Sequence, residues 1–321
     1  CSSDLHTMLS LKYFILLVFV LGVSVQAAGQ LYGVGPFDML RVDPTRAYTF
    51  IEAQIPLGNG LEMSGSSTLD YTAHTYYAPF YTPFGPLVLG MNTDTGVIAK
   101  IWTVPAYPQY LDFDEITETM FMTYYNQTAA ATIVLAMDAI GSISELAAIA
   151  DELPFLGQAS AFDRKTSTLF VALGSQANGS AIYEINTQTG TMKKHIPDGM
   201  MMDVLVFSPS TGLIYGLGFD PSTESRLFVS LNPQSSKFTK LGATLDFAGE
   251  MAGIATMDDI DAIFYCVMSN KTDTTTFHLV SIDAKNGQVM AAPTSNMVPD
   301  IFSLAFLPNQ QQFAADRKMK Q

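Results

Sequence analysis

The sequence predicts an all-β chain, a β-propeller of six four-stranded blades. Three observations predict it. A motif returns about every 45 residues, the mark of a repeat architecture. Each copy holds short apolar strands separated by turn residues, which is the content of one blade. A lone strand at the C-terminus matches the one strand that the first copy lacks.

The first copy shows a second strand, LYGVG (Leu31–Gly35), and a third, DMLRVD (Asp38–Asp43). The second copy has STLDY (Ser67–Tyr71), YYAPF (Tyr76–Phe80) and LVLGMN (Leu87–Asn92). The third has YLDFD (Tyr110–Asp114), FMTYY (Phe121–Tyr125) and TIVLAMD (Thr132–Asp138). The fourth reads ASAFD (Ala159–Asp163), FVALG (Phe170–Gly174) and AIYEIN (Ala181–Asn186), and the fifth VLVFS (Val204–Ser208), IYGLG (Ile214–Gly218) and RLFVSLN (Arg226–Asn232). The sixth has GIATM (Gly253–Met257), IFYCV (Ile263–Val267) and FHLVSID (Phe277–Asp283), and the lone strand FSLAFLP (Phe302–Pro308) follows. That last strand is expected to complete the first blade and close the ring. Seven blades is the rival count, because Ile55–Ser67 has no clear assignment.

Fourth strands follow turns such as Asn92-Thr-Asp-Thr-Gly96 and Asn186-Thr-Gln-Thr-Gly190. Tight hairpins need positive φ and local side-chain hydrogen bonds, which Asn, Asp and Gly supply. Propeller strands are covered on both faces, so they read as apolar runs rather than alternations. Outer strands are edges that need guarding, and Lys100, Lys193, Lys194, Lys237 and Lys240 all fall in predicted fourth strands. The last outer strand, Gly287–Thr294, carries no charge and is a candidate edge for self-assembly.

The 321 residues carry a net charge of −14 with no long acidic run. A nucleic-acid or anionic-membrane surface needs a basic face, so both partners are excluded as expectations. Lys12 followed by the apolar run Tyr13–Val25 and small residues through Gly29 reads as a signal peptide over residues 8–29. Residues 1–7 read as upstream sequence, 30–315 as one propeller domain and 316–321 as a tail. A secreted, extracellular chain with no membrane insertion after signal cleavage is expected. Three N-glycosylation sequons agree with it, at Asn126, Asn178 and Asn270, each in a loop between second and third strands. Beyond the leader one cysteine remains, Cys266, in an apolar strand, so it reads as an inert core thiol.

No zinc-protease helix motif, nucleophile elbow or phosphate loop occurs. His74, His195 and His278 fall at unlike positions of their copies and are not expected to converge. Gln109, Gln158, Asp203, Glu250 and Asp300 stand near the starts of innermost strands. They form a candidate oxygen-ligand set for calcium at the channel mouth, against the plainer reading of a hydrated polar funnel with no cofactor. The segments Ala78–Pro86 and Val104–Tyr110 are rich in Pro and aromatics and share the sequon face. Tyr81, Phe84, Tyr107 and Tyr110 there are candidate binding residues, against loop packing as the alternative.

With its Asp-x-x-Thr-Gly-type turns the repeat resembles secreted six-bladed propellers and the YVTN and quinoprotein-like group. The resemblance implies architecture, not activity. Some six-bladed families are metal-dependent lactonases, but their metal set has no match here residue by residue. The expected function is therefore a non-enzymatic glycoprotein that binds an extracellular protein or glycan or joins an assembly. The alternative is a calcium-dependent lactonase- or esterase-like hydrolase.

Overall fold

Six antiparallel sheets stand as the blades of a ring. The computed structural model describes residues 29–34, 38–54, 62–63, 65–155, 159–175, 179–197, 200–248, 254–270, 272–273, 276–295 and 303–308. The leader, the tail, Gln158, Asn178, Glu250 and Asp300 lie outside these residues, as do the side chains of Asp203 and Asn270.

Blade 1 runs from Ser303–Leu307 through Gln30–Val34 and Asp38–Asp43 to Tyr48–Gln54. The C-terminal strand is thus its innermost member, as expected. Blade 3 is made of Tyr110–Asp114, Thr119–Asn126, Ala131–Met137 and Ile143–Ala150 in simple succession, and blade 5 of Met201–Ser208, Leu213–Asp220, Ser225–Asn232 and Lys237–Leu245. In blades 2, 4 and 6 the inner position is split. A two-residue strand (Glu62–Met63, Leu153–Pro154 or Phe247–Ala248) pairs with the far end of the second strand, and a longer one (Thr68–Asp70, Ser160–Asp163 or Ala255–Asp258) pairs with its near end. This places Glu62–Met63 within blade 2, and the count is six rather than seven. Each longer inner strand packs on the next around a closed cycle, from blade 2 through blade 6 to blade 1 and back.

Alternation along one strand serves two interfaces at once. In Thr75–Thr82, the side chains of Tyr76, Ala78 and Phe80 join Tyr32, Met39 and Leu307 of blade 1. Tyr77, pointing the other way, joins Leu111, Phe113 and Met122 of blade 3. Both sides are buried, so the sequence shows a run and no alternation. Cys266 is buried in the same manner between blades 5 and 6.

The turns repeat one device. An Asp or Asn side-chain oxygen accepts from backbone N–H groups two or three residues on, and the fourth residue after it takes positive φ. Asn186 accepts from Gln188 N (3.0 Å) and Thr189 N (2.9 Å), and Gly190 has φ 69°. Asp70 with His74 (φ 49°) and Asp258 with Ala262 (φ 56°) do the same without glycine.

Antiparallel order sets the two faces of the ring. Turns between first and second strands, and between third and fourth, open on one face, here the lower. Turns between second and third strands, and the crossings between blades, open on the upper face.

Candidate functional site

The upper face above blades 2 and 3 brings together three of the four aromatic candidates. The segment Ala78–Pro86 is not a long loop. Its strand runs on to Thr82 and turns at Pro83-Phe84, with Thr82 Oγ1 donating to Gly85 O (2.8 Å) and accepting from Phe84 N (3.1 Å). Phe84 thereby sits on a hairpin tip, 98% exposed. Tyr81 below it is 44% exposed, and its ring lies 4.5 Å from that of Tyr107, which is 40% exposed, on the crossing to blade 3. Partial burial and the adjoining Tyr81 hydroxyl hold the Tyr107 phenol above its usual range.

Tyr110 does not belong to this patch. It is fully buried in the core of blades 3 to 5, and its hydroxyl donates to Phe155 O (2.8 Å). The aromatic spacing in Val104–Tyr110 looked uniform in sequence. Val104 and Pro108 are buried as well, so the segment dips inward at both ends and exposes only its middle.

Beside Tyr107 a cleft of about 400 Å3 opens between the crossing and the second strand of blade 3. Pro105, Ala106, Tyr107 and Gln109 form one wall, and Tyr124, Tyr125, Asn126 and Gln127 the other. Gln109 ties the walls together. Its side-chain oxygen accepts from Tyr125 N (3.0 Å) and its own N–H donates to Thr123 O (2.7 Å). An oxygen so committed, on a cleft wall, is a poor calcium ligand. Asp203 falls where the pairing of Met201–Ser208 slips by one residue, and among the described residues no three His, Cys, Asp or Glu side chains group as a metal site.

The inner strands and the turns after them hold groups that the candidate set missed. Asp112 projects from the inner strand of blade 3 towards Ser160 of blade 4, and burial pushes its carboxyl up to about 7. At the lower face Arg164 of blade 4 reaches Glu115 of blade 3 (3.0 Å) and lies over the Tyr71 ring of blade 2 at 4.4 Å. Blades 2 and 4 are not neighbours, so this contact passes over the turn of blade 3 that carries Glu115. Asp259 of blade 6 accepts there from the hydroxyl of Ser208 and from Ser210 N (3.0 Å). The signal in sequence was slight: Tyr71, Glu115, Arg164 and Asp259 each directly follow the capping Asp of an inner strand.

The histidines stay apart, as expected, but His195 meets a serine and an acid. Its Nε2 lies 2.7 Å from Glu184 Oε2 and its Nδ1 2.9 Å from Ser236 Oγ. The order imitates a catalytic triad. Ser236, however, sits on an exposed turn, and none of the three lines the cleft beside Tyr107. The buried imidazole instead ties the outer strand of blade 4 to a turn of blade 5. His195→Ala is expected to cost about 2 kcal/mol, through a lost buried hydrogen bond and a cavity, and Ser236→Ala under about 0.5 kcal/mol. Urea unfolding of the two variants checks this, and equal losses would remove the distinction.

No family model matches the chain, and no curated protein matches it in sequence. Solved structures match it in fold. One titled as a nidogen/laminin complex aligns over 88% of this chain and 99% of that one, at TM-score 0.66 and 12% identity. TolB from Acinetobacter baumannii aligns over 87% and 67%, at 0.60 and 10%. A putative 6-phosphogluconolactonase from Bacteroides fragilis aligns over 88% and 99%, at 0.51 and 8%. At such identities the likeness speaks for the propeller fold alone, and the printed names span unlike functions.

Proposed function

We propose that this chain is a secreted, N-glycosylated propeller that binds a protein partner through the upper face of blades 2 and 3, and that it is not an enzyme. One observation carries the reading: Phe84, a large apolar ring, stands almost fully exposed on a hydrogen-bonded hairpin beside the Tyr81–Tyr107 pair. Keeping such a ring in water is unfavourable, and folding gains nothing from it. Rigid aromatics lose little entropy on docking and dominate the energy of many interfaces. The acidic chain, at −14, favours a partner with a basic or neutral surface. A propeller of related fold in a complex titled for nidogen and laminin agrees with protein binding.

Phe84→Ala is expected to weaken retention of the partner from an extracellular fraction by about 30-fold, an anchor loss of about 2 kcal/mol. Its melting temperature should stay within about 1 °C of the parent, because little contact is lost. Unchanged retention would sink the reading. The same preparation separates it from a calcium-dependent hydrolase: stoichiometric calcium by elemental analysis, with a melting temperature that falls on chelation, would favour the enzyme.

A further inference from the structure

The cleft beside Tyr107 ends at a sequon. Asn126-Gln-Thr128 closes the second strand of blade 3, and Asn126 forms part of the cleft wall. Its Oδ1 accepts from Thr128 N (3.0 Å) and Ala129 N (3.1 Å). The carboxamide oxygen is therefore turned into the turn, which directs Nδ2, the atom that carries an N-linked sugar, away from those backbone donors. Residues Gln127–Ala130 are exposed, so the sequon is accessible on the folded surface.

Strand geometry adds the second half. Residues two apart share a face and lie about 6.6 Å apart along a strand. Tyr124 is two before Asn126, lines the same cleft, and packs its other side on the core of blades 2 and 3. A first N-acetylglucosamine on Nδ2 can thus fold back over a ring that cannot retreat. The cleft's 400 Å3 falls in the range of small-ligand pockets, about 300–1,000 Å3. Its lining of three tyrosines, a proline and an alanine, with Gln109 and Gln127 as polar rim, matches a sugar ring, which has an apolar face and a hydroxylated edge.

We propose that the first sugars of an N-glycan on Asn126 lie in this cleft, on Tyr124 and against Tyr107, as a fixed part of the upper face. The seated glycan covers the side of Tyr107 turned away from Tyr81. It leaves Phe84 and Tyr81 as the open end of the aromatic patch and steers a partner to them. The inference rests on the secretory part of the function proposed above, but not on the identity of any partner.

The full chain expressed in secreting animal cells tests it. Peptide mapping should find Asn126 occupied. Trimming to a single N-acetylglucosamine should leave the melting temperature unchanged, whereas Asn126→Gln should lower it by about 2–4 °C, the shift that one modest contact gives in a domain of this size. In Tyr124→Leu and in Tyr107→Ala the gap between glycosylated and Asn126→Gln forms should shrink to under about 1 °C. Tyr107 is exposed, so the second variant folds even where the first does not. A chain kept inside the cell without sugar overturns both this inference and the secretory reading. A secreted chain with bare Asn126 overturns the inference alone. So does an occupied Asn126 whose loss leaves the melting temperature unchanged, or a gap that both tyrosine variants preserve.

Discussion

Tyr110→Ala is expected to lower the stability of the ring by about 4 kcal/mol, close to the largest loss a single core truncation gives. The side chain is fully buried, belongs to the cluster that joins blades 3, 4 and 5, and spends its hydroxyl on Phe155 O at 2.8 Å. Alanine would leave a ring-sized cavity in that cluster and strand that carbonyl. Tyr110→Phe keeps the packing and removes only the hydrogen bond, for about 1 kcal/mol. Urea unfolding gives both values. A loss under about 1 kcal/mol in the alanine variant would return Tyr110 to the surface patch to which its spacing in sequence assigned it.

Asp112 is expected to work against stability at neutral pH. Burial pushes its carboxyl up to about 7, against about 3.9 in an unfolded chain. The Ser160 hydroxyl beside it makes no well-formed hydrogen bond, so it offsets little of the burial. Between those two values the folded chain holds a proton that the unfolded chain has released. Stability therefore falls as the pH rises from about 4 through about 7, and the loss is complete above that. Three units correspond to about 4 kcal/mol as a ceiling, and local relaxation and water penetration around a buried carboxylate bring the figure to about 2 kcal/mol. Asp112→Asn should be the more stable form at pH 8, by that amount, and should match the parent near pH 4. Parallel profiles of melting temperature against pH would show that Asp112 titrates as an ordinary carboxylate.

These two residues are neighbours in one strand, Tyr-Leu-Asp-Phe-Asp, and they mark the limit of reading a repeat. That the strand exists, that it is innermost, and that Asp114 caps the turn after it all follow from local pattern. Asp114 accepts from Ile116 N two residues on, and a contact of that range is written in the sequence itself. Tyr110 meets Phe155, forty-five residues on, and Asp112 meets Ser160 of another blade. Nothing in the five residues distinguishes the aromatic that turns inward from Tyr107, which turns out. The sequon face and the aromatic segments were legible because turns alternate between faces. Their meeting in one cleft with Asn126 was not.

What the sequence by itself determined is the main strands, their turns, the repeat, and the closing of the first blade by the last strand. Each of these depends on hydrophobic period and on turn chemistry within a few residues. Only the tertiary structure decided which tyrosines are exposed and which are core, that Gln109 binds a neighbouring strand, and that Arg164 reaches Glu115 of blade 3 and Tyr71 of blade 2. The physical reason is that blades meet mainly through side chains, with few backbone hydrogen bonds between them, such as Ser66 N to Gln109 O (2.9 Å). A side chain's partner across such a joint is set by the twist and stagger of two sheets, quantities that no single repeat encodes.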